Sequence, residues 1–174
     1  MKVFLLLLAG AVWGGEITPG NARVEAVVEK TGLMSGKRHT IVWERFRGSY
    51  REDDGTVEVE VEAGSAKVLD DWIGDGKREE VRKETVGRNV LDAERHGRIR
   101  FAGKRGAEGK VAGTLQVRGV TREVVLAVRK TAEGWEGETR FLMSWFGIKP
   151  PRAALGAVGT KDEMVIRFRV GGSR

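Results

Sequence analysis

The sequence predicts an all-β fold of about eight antiparallel strands with one inserted helix. Three observations carry that reading. Residues 56–63 alternate strictly, with Val57, Val59, Val61 and Ala63 on one face and Glu58, Glu60 and Glu62 on the other. Residues 113–128, GTLQVRGVTREVVLAV, read as two alternating runs joined by a turn. The chain also carries 25 Gly against 3 Pro with few helical patterns, which suits a protein of strands and turns.

The elements follow in order. Residues 22–29 alternate, with Val24, Ala26 and Val28 on one side. Residues 31–37 form a loop. Residues 39–50 are strand-like, but Ile41 and Trp43 oppose Val42 and Phe46 in parity, so the strand is covered on both sides or bulged. Glu52-Asp53-Asp54-Gly55 is a turn. The three glutamates of 56–63 require water on their face, so the sheet has one wet side. Residues 76–88 read as a helix, with Asp75 as N-cap and Glu79 and Glu80 in the first turn. Its apolar content is thin, so it lies on the surface, and Val90 and Leu91 plug it onto the body. Strands resume at Ile99 and Phe101, then 111–118, 123–130, 135–144 and 163–170.

Eight strands of this kind either pack as a two-sheet sandwich or close into a barrel. Closing removes exposed edges. An eight-stranded barrel is filled by its own side chains or holds one small ligand. Periodicity does not choose between these.

At 174 residues the chain is long enough for one domain with a sizeable core. Charged residues make up 32% and hydrophobic residues 40%, which excludes a disordered tail and a multi-span membrane protein. The absence of Cys excludes a disulfide scaffold and a thiolate metal site. Lys2 followed by the apolar run 3–13 reads as a secretory signal, so residues 1–15 form a leader and 16–174 the domain. The run is shorter than the roughly 20 residues of a spanning helix. Export argues against nucleic acid as the partner of the net charge of +6. Anionic lipid head groups and acidic envelope polymers remain, as does a plain solubility role.

Enzyme signatures are weak. His39 and His96 fall in no metal-ligand spacing. Asp53-Asp54 and Asp70-Asp71 read as turn formers rather than acid/base couples. Gly32 to Lys37 is too short for a phosphate loop. No cofactor, metal or catalytic residue is expected. A hydrolytic site would need one of the two histidines beside a carboxylate in a cleft.

Several stretches, taken in order, resemble the YceI-like family of exported lipid-binding proteins. They are Val57 to Ala63 with Gly64-Ser65-Ala66; Asp75-Gly76-Lys77-Arg78-Glu79-Glu80; and Asn89-Val90-Leu91-Asp92-Ala93-Glu94 running into Arg98-Ile99-Arg100-Phe101. Next come the hairpin from Val111 to Val124, then Phe146-Gly147-Ile148, and Lys161-Asp162-Glu163-Met164. Where the family often has His before Gly119-Val120-Thr121, this chain has Arg118. The resemblance implies a lipocalin-like barrel, an elongated apolar cavity for a polyisoprenoid or other long-chain amphiphile, a periplasmic location and no catalytic residues.

A site for such a chain needs an apolar tube and a polar mouth, since removing chain surface from water supplies roughly 25 cal/mol per Å² before ordering costs. The inward parity supplies the expected lining: Val59, Val61, Ile99, Phe101, Leu115, Val117, Leu126, Val128, Trp135, Phe141, Met143, Ile166 and Phe168. The alternative is that many of these only pack against each other. Trp43, Trp72, Trp135 and Trp145 suit either a pocket or a core. The basic run Arg95, His96, Arg98, Arg100, Lys104 and Arg105 suits either an anionic head group or a solvated outer face, because Arg98 and Arg100 oppose Ile99 and Phe101. The function expected is a periplasmic carrier of an isoprenoid or fatty-acyl lipid, in transient contact with a membrane surface, with polar groups near the helix and loops meeting the head. The rival is a non-catalytic envelope module with a filled barrel.

Overall fold

The computed structural model describes residues 14–171. Its strands are β1 (Gly14–Ile17), β2 (Ala22–Gly32), β3 (Arg38–Trp43), β4 (Phe46–Arg51), β5 (Thr56–Glu62), β6 (Ala66–Val68), β7 (Arg98–Arg105), β8 (Lys110–Val117), β9 (Val120–Thr131), β10 (Gly134–Leu142), β11 (Arg152–Ala153) and β12 (Val158–Gly171). One helix, α1 (Asp75–Val86), lies between β6 and β7. The strands form one antiparallel sheet in the order β1-β4-β5-β7-β8-β9-β10-β12-β2-β3-β6, with β11 on β12.

This is a curled, lipocalin-type sheet, and its two ends meet at one corner. The expected strand 39–50 is two strands, β3 and β4, separated by Glu44 and Arg45. The corner shifts the inward parity from Ile41 and Trp43 to Phe46, Gly48 and Tyr50, which explains the apolar residues on both parities. β3 pairs with β2, whereas β4 pairs with β5. Ser65, 4% exposed, pins the corner. Its hydroxyl accepts the Arg45 N–H at 3.1 Å and donates to the Glu62 carbonyl at 2.8 Å. The eight expected strands therefore become twelve, through this split and through three short strands, β1, β6 and β11.

The leader assigned to residues 1–15 lies largely outside the described residues. Gly14 and Gly15 are described, and they open β1, facing Arg51 and Tyr50. Among the described residues no helix is long and apolar enough to cross a membrane.

Two local expectations are corrected. The cap of α1 is Gly74, not Asp75, because Asp75 is the first helical residue and its carboxylate pairs with Arg78. The helix stops at Val86, where the Gly87 N–H bonds the Glu84 carbonyl at 3.2 Å. The turn of the β8–β9 hairpin is two residues, Arg118 and Gly119, with φ of 53° and 75°, rather than residues 119–122. Positive φ at both positions matches the right-handed twist of the flanking strands. Val90 and Leu91 are buried in the core beside α1, as expected.

Candidate functional site: an apolar cavity inside the curled sheet

Inward side chains of successive strands fall in rows around the sheet. One row runs Tyr50, Val57, Gly103, Gly113 and Val124 across β4, β5, β7, β8 and β9. Another runs Thr139, Ile166, Ala26 and Ile41 across β10, β12, β2 and β3. Between them lies a cavity of about 250 Å³. A single water needs only about 10–15 Å³, so this space is far larger than a packing defect.

Glycines thin the wall where aromatic rings lie against it. A Cβ at Gly103 would stand 2.6 Å from Cζ of Phe101, and one at Gly137 2.5 Å from Cζ of Phe168. Both rings lie over these glycines and line the cavity. Glycines weaken a strand's interior; here they make room for the Phe101 and Phe168 rings.

All thirteen expected lining residues stand on the cavity wall. Val61, Val117, Phe141 and Met143 are buried there. The remaining nine are half-buried, with part of their surface facing the cavity. Met143 belongs to a short 3-10 turn, Met143–Phe146, rather than to the end of a strand. Phe146 from the same turn is 1% exposed and meets Phe141 edge-on at 5.1 Å. Parity in the strands missed Phe146, as it missed Ile148, Val81 and Leu91, which reach the wall from turns and from α1.

Charged and polar groups occupy the two ends. At one end are Arg51, Glu52, Arg105, Arg169 and the Trp135 ring. Arg105 lies 5.5 Å and Lys130 5.6 Å from the Trp135 centroid, so two cations flank this ring. At the other end, beside α1, are Lys30, His39, Glu84 and Thr160. Burial pushes the Lys30 ammonium below its ordinary value, with Lys77 acting the same way and Glu84 and Asp70 opposing.

The basic run of β7 divides by parity. Arg98 and Arg100 are on the outer face, 3.3 and 2.9 Å from the Glu60 carboxylate, which Arg47 also reaches at 3.1 Å. Of that run only Arg105 is on the cavity wall. The tryptophans divide too. Trp43 and Trp135 line the cavity, Trp72 stacks on His39 at 5.6 Å, and Trp145 is half-exposed. The Trp43 indole N–H is buried without a hydrogen-bond partner among the described residues.

Asp70, read from the sequence as a turn former, is instead buried against His39. Its carboxylate accepts the Thr40 N–H at 2.8 Å and lies 2.5 Å from His39 Nδ1. This supplies the histidine–carboxylate pair that a hydrolytic site would need. Among the described residues, however, no Ser or Thr hydroxyl bonds His39. Two of the wall's threonines are committed elsewhere, Thr85 to the Val81 carbonyl at 2.8 Å and Thr139 to the Val125 carbonyl at 3.0 Å. No group of three or more His, Cys, Asp or Glu side chains among the described residues is placed to hold a metal ion.

Comparison with known proteins agrees with this architecture. A family model described as YceI-like domain matches residues 16–171. Among solved structures, Burkholderia cenocepacia BcnA superposes with a TM-score of 0.64 at 16% identity, covering 90% of this chain and 99% of that one. A mutant CJ YCEI protein superposes with a TM-score of 0.50 at 13% identity, covering 99% and 92%. At these identities the likeness is one of fold. A search of the curated proteins finds no match.

Proposed function

The chain belongs to the YceI-like family, and from that premise we propose that it is a periplasmic binding and carrier protein for a polyisoprenoid or other long-chain amphiphile. The observation that carries this reading is the cavity itself. The interior is not filled by its own side chains, and between its polar ends the space left is walled mainly by Val, Leu, Ile, Met and aromatic residues. Each methylene moved from water to such a wall contributes roughly 0.8 kcal/mol, which favours a long hydrocarbon over a small polar ligand. The tail would lie along Val59, Phe101, Leu115, Leu126 and Phe168. The head would meet Lys30 and His39 at the α1 end, where Asp70 holds the imidazole by Nδ1 and Nε2 would be the nitrogen left for the ligand. Arg105 and Lys130 would hold the Trp135 ring as a stop at the far end. Export rests on the apolar segment after Lys2.

A titration with a fluorescent fatty acid or isoprenoid analogue tests the reading. Saturable binding that a long-chain alcohol displaces is the expected result. A purified, ligand-free protein that leaves the probe's emission unchanged would overturn it.

A further inference from the structure

We propose that the end of the barrel formed by the β2–β3 turn and the β11–β12 loop docks onto an anionic phospholipid bilayer. The two loops are neighbours. Gly32 pairs with Val158, Ala153 pairs with Val158, and the Leu33 N–H bonds the Ala157 carbonyl at 3.0 Å. They present apolar side chains to water: Leu33 is 83% exposed and Leu155 fully exposed, with Met34 partly exposed beside them. Scattered surface leucines need no explanation, but two that stand proud on hydrogen-bonded neighbouring loops form a patch. The backbone works to present one of them. Ala154 and Leu155 are consecutive non-glycine residues in the left-handed region, with φ of 50° and 53°. Such a conformation costs free energy in a leucine that gains no burial.

The charge around the patch selects the partner. Residues 30–43 and 145–161 contain no Asp or Glu, and they carry Lys30, Lys37, Arg38, Lys149, Arg152 and Lys161. Lys161 is paired with Glu29. Lys37, Arg38, Lys149 and Arg152 have no ion-pair partner among the described residues. Of the acids nearest the patch, Glu29 is shared between Lys161, its ion-pair partner, and the facing Arg38, and Asp162 holds Ser144 at 2.9 and 2.5 Å, so the cations outnumber the acids there. Exposed leucines beside Lys37, which lies over the Trp72 ring at 5.7 Å, and beside Arg38, Lys149 and Arg152 fit the boundary between anionic head groups and acyl chains. Lys30 and Thr160, which face each other across β2 and β12 on the cavity wall, lie directly behind these loops. Docking would therefore set the α1 end of the cavity against the bilayer.

The test is co-sedimentation of the purified chain with vesicles of phosphatidylcholine alone, or of phosphatidylcholine with phosphatidylglycerol. The chain should sediment with the anionic vesicles and lose that binding as salt rises. Leu33→Ser with Leu155→Ser should weaken binding about tenfold, and Arg38→Ser with Arg152→Ser should weaken it similarly while flattening the salt dependence. Both pairs should leave analogue uptake and Tm unchanged, since none of the four residues lines the cavity. Absence of vesicle binding, or binding that neither pair of substitutions reduces, overturns the proposal. So does a concentration-dependent dimer by light scattering that the leucine substitutions abolish without vesicle binding, because the patch would then be an interface between copies. A chain that sediments but takes up no analogue upholds docking while defeating the carrier reading.

Discussion

His39 and Asp70 are joined across 31 residues of sequence: Nδ1 of the imidazole lies 2.5 Å from Oδ2 of the carboxylate. The Asp70 side chain is 1% exposed, and its other oxygen accepts the Thr40 N–H. Asp70→Ala strands a backbone N–H and one face of the imidazole away from water, at a cost of about 1–3 kcal/mol. Thermal unfolding of that variant should begin roughly 5 °C lower. His39→Ala should cost less, because Asp70 keeps Thr40. Equal losses in the two variants would contradict the role given to the Thr40 bond.

Leu115 stands mid-wall, opposite Phe101 of β7. Leu115→Trp places a bulky side chain in the cavity. Analogue affinity should fall by at least about tenfold, while Tm changes by only a few degrees because the added volume meets empty space rather than packed neighbours. A large fall in Tm with binding intact would indicate a filled interior.

Gly103→Ala tests the thinness of the wall. The new Cβ would meet the Phe101 ring at 2.6 Å and the Ala112 carbonyl oxygen at 2.9 Å. The ring must swing inward, so affinity for the longest analogues should drop before that for short ones, with a stability loss of about 1–3 kcal/mol. A chain-length series read by fluorescence displacement checks this ordering.

Lys30 gives a pH signature. Burial holds its folded-state value below the 10.5 of the free side chain. Between the lowered value and 10.5 the unfolded chain binds more protons than the folded one, so stability contributed at this site rises with pH across that window. Denaturant unfolding of the wild type and of Lys30→Met should show the wild type gaining on the variant as pH is raised toward 10.5. A constant difference between the two would contradict a partly desolvated ammonium at Lys30.

The outer face titrates in the opposite range. A hydrogen bond from Arg100, helped by Arg47 and Arg98, holds the Glu60 carboxyl below its usual 4.5. Arg45 does the same for Glu62. A carboxyl lowered in the folded state stabilises above its unfolded value, and that contribution disappears as pH falls through the folded one. Glu60→Gln should therefore flatten the acid limb of the stability profile below pH 4.5. Added salt should shrink the difference between variant and wild type, because the cluster is on the surface.

A strand's period of two fixes which side chains share a face, so strand parity alone picked out thirteen residues that line the cavity. What parity could not reach lies where the chain leaves that period. Phe146 comes from a 3-10 turn, and Val81 from a helix whose exposed face is nearly all charged. The Glu44–Arg45 corner was visible only as a conflict of parity, since it depends on Ser65, some twenty residues away. The Asp70–His39 pair was hidden for the same reason: adjacent aspartates look like turn formers until a distant strand brings an imidazole to one of them. Whether the interior was open or filled turned on volume. At Gly103 and Gly137 the missing Cβ leaves room for the Phe101 and Phe168 rings, a packing relation that spacing does not encode.

The most direct test of the central claim is native mass spectrometry of the protein purified from its own host without detergent. The account predicts a complex heavier than the bare chain by one long-chain lipid, released on denaturation and absent from Leu115→Trp. A wild-type chain at its bare mass, with no lipid recovered by solvent extraction, would contradict it.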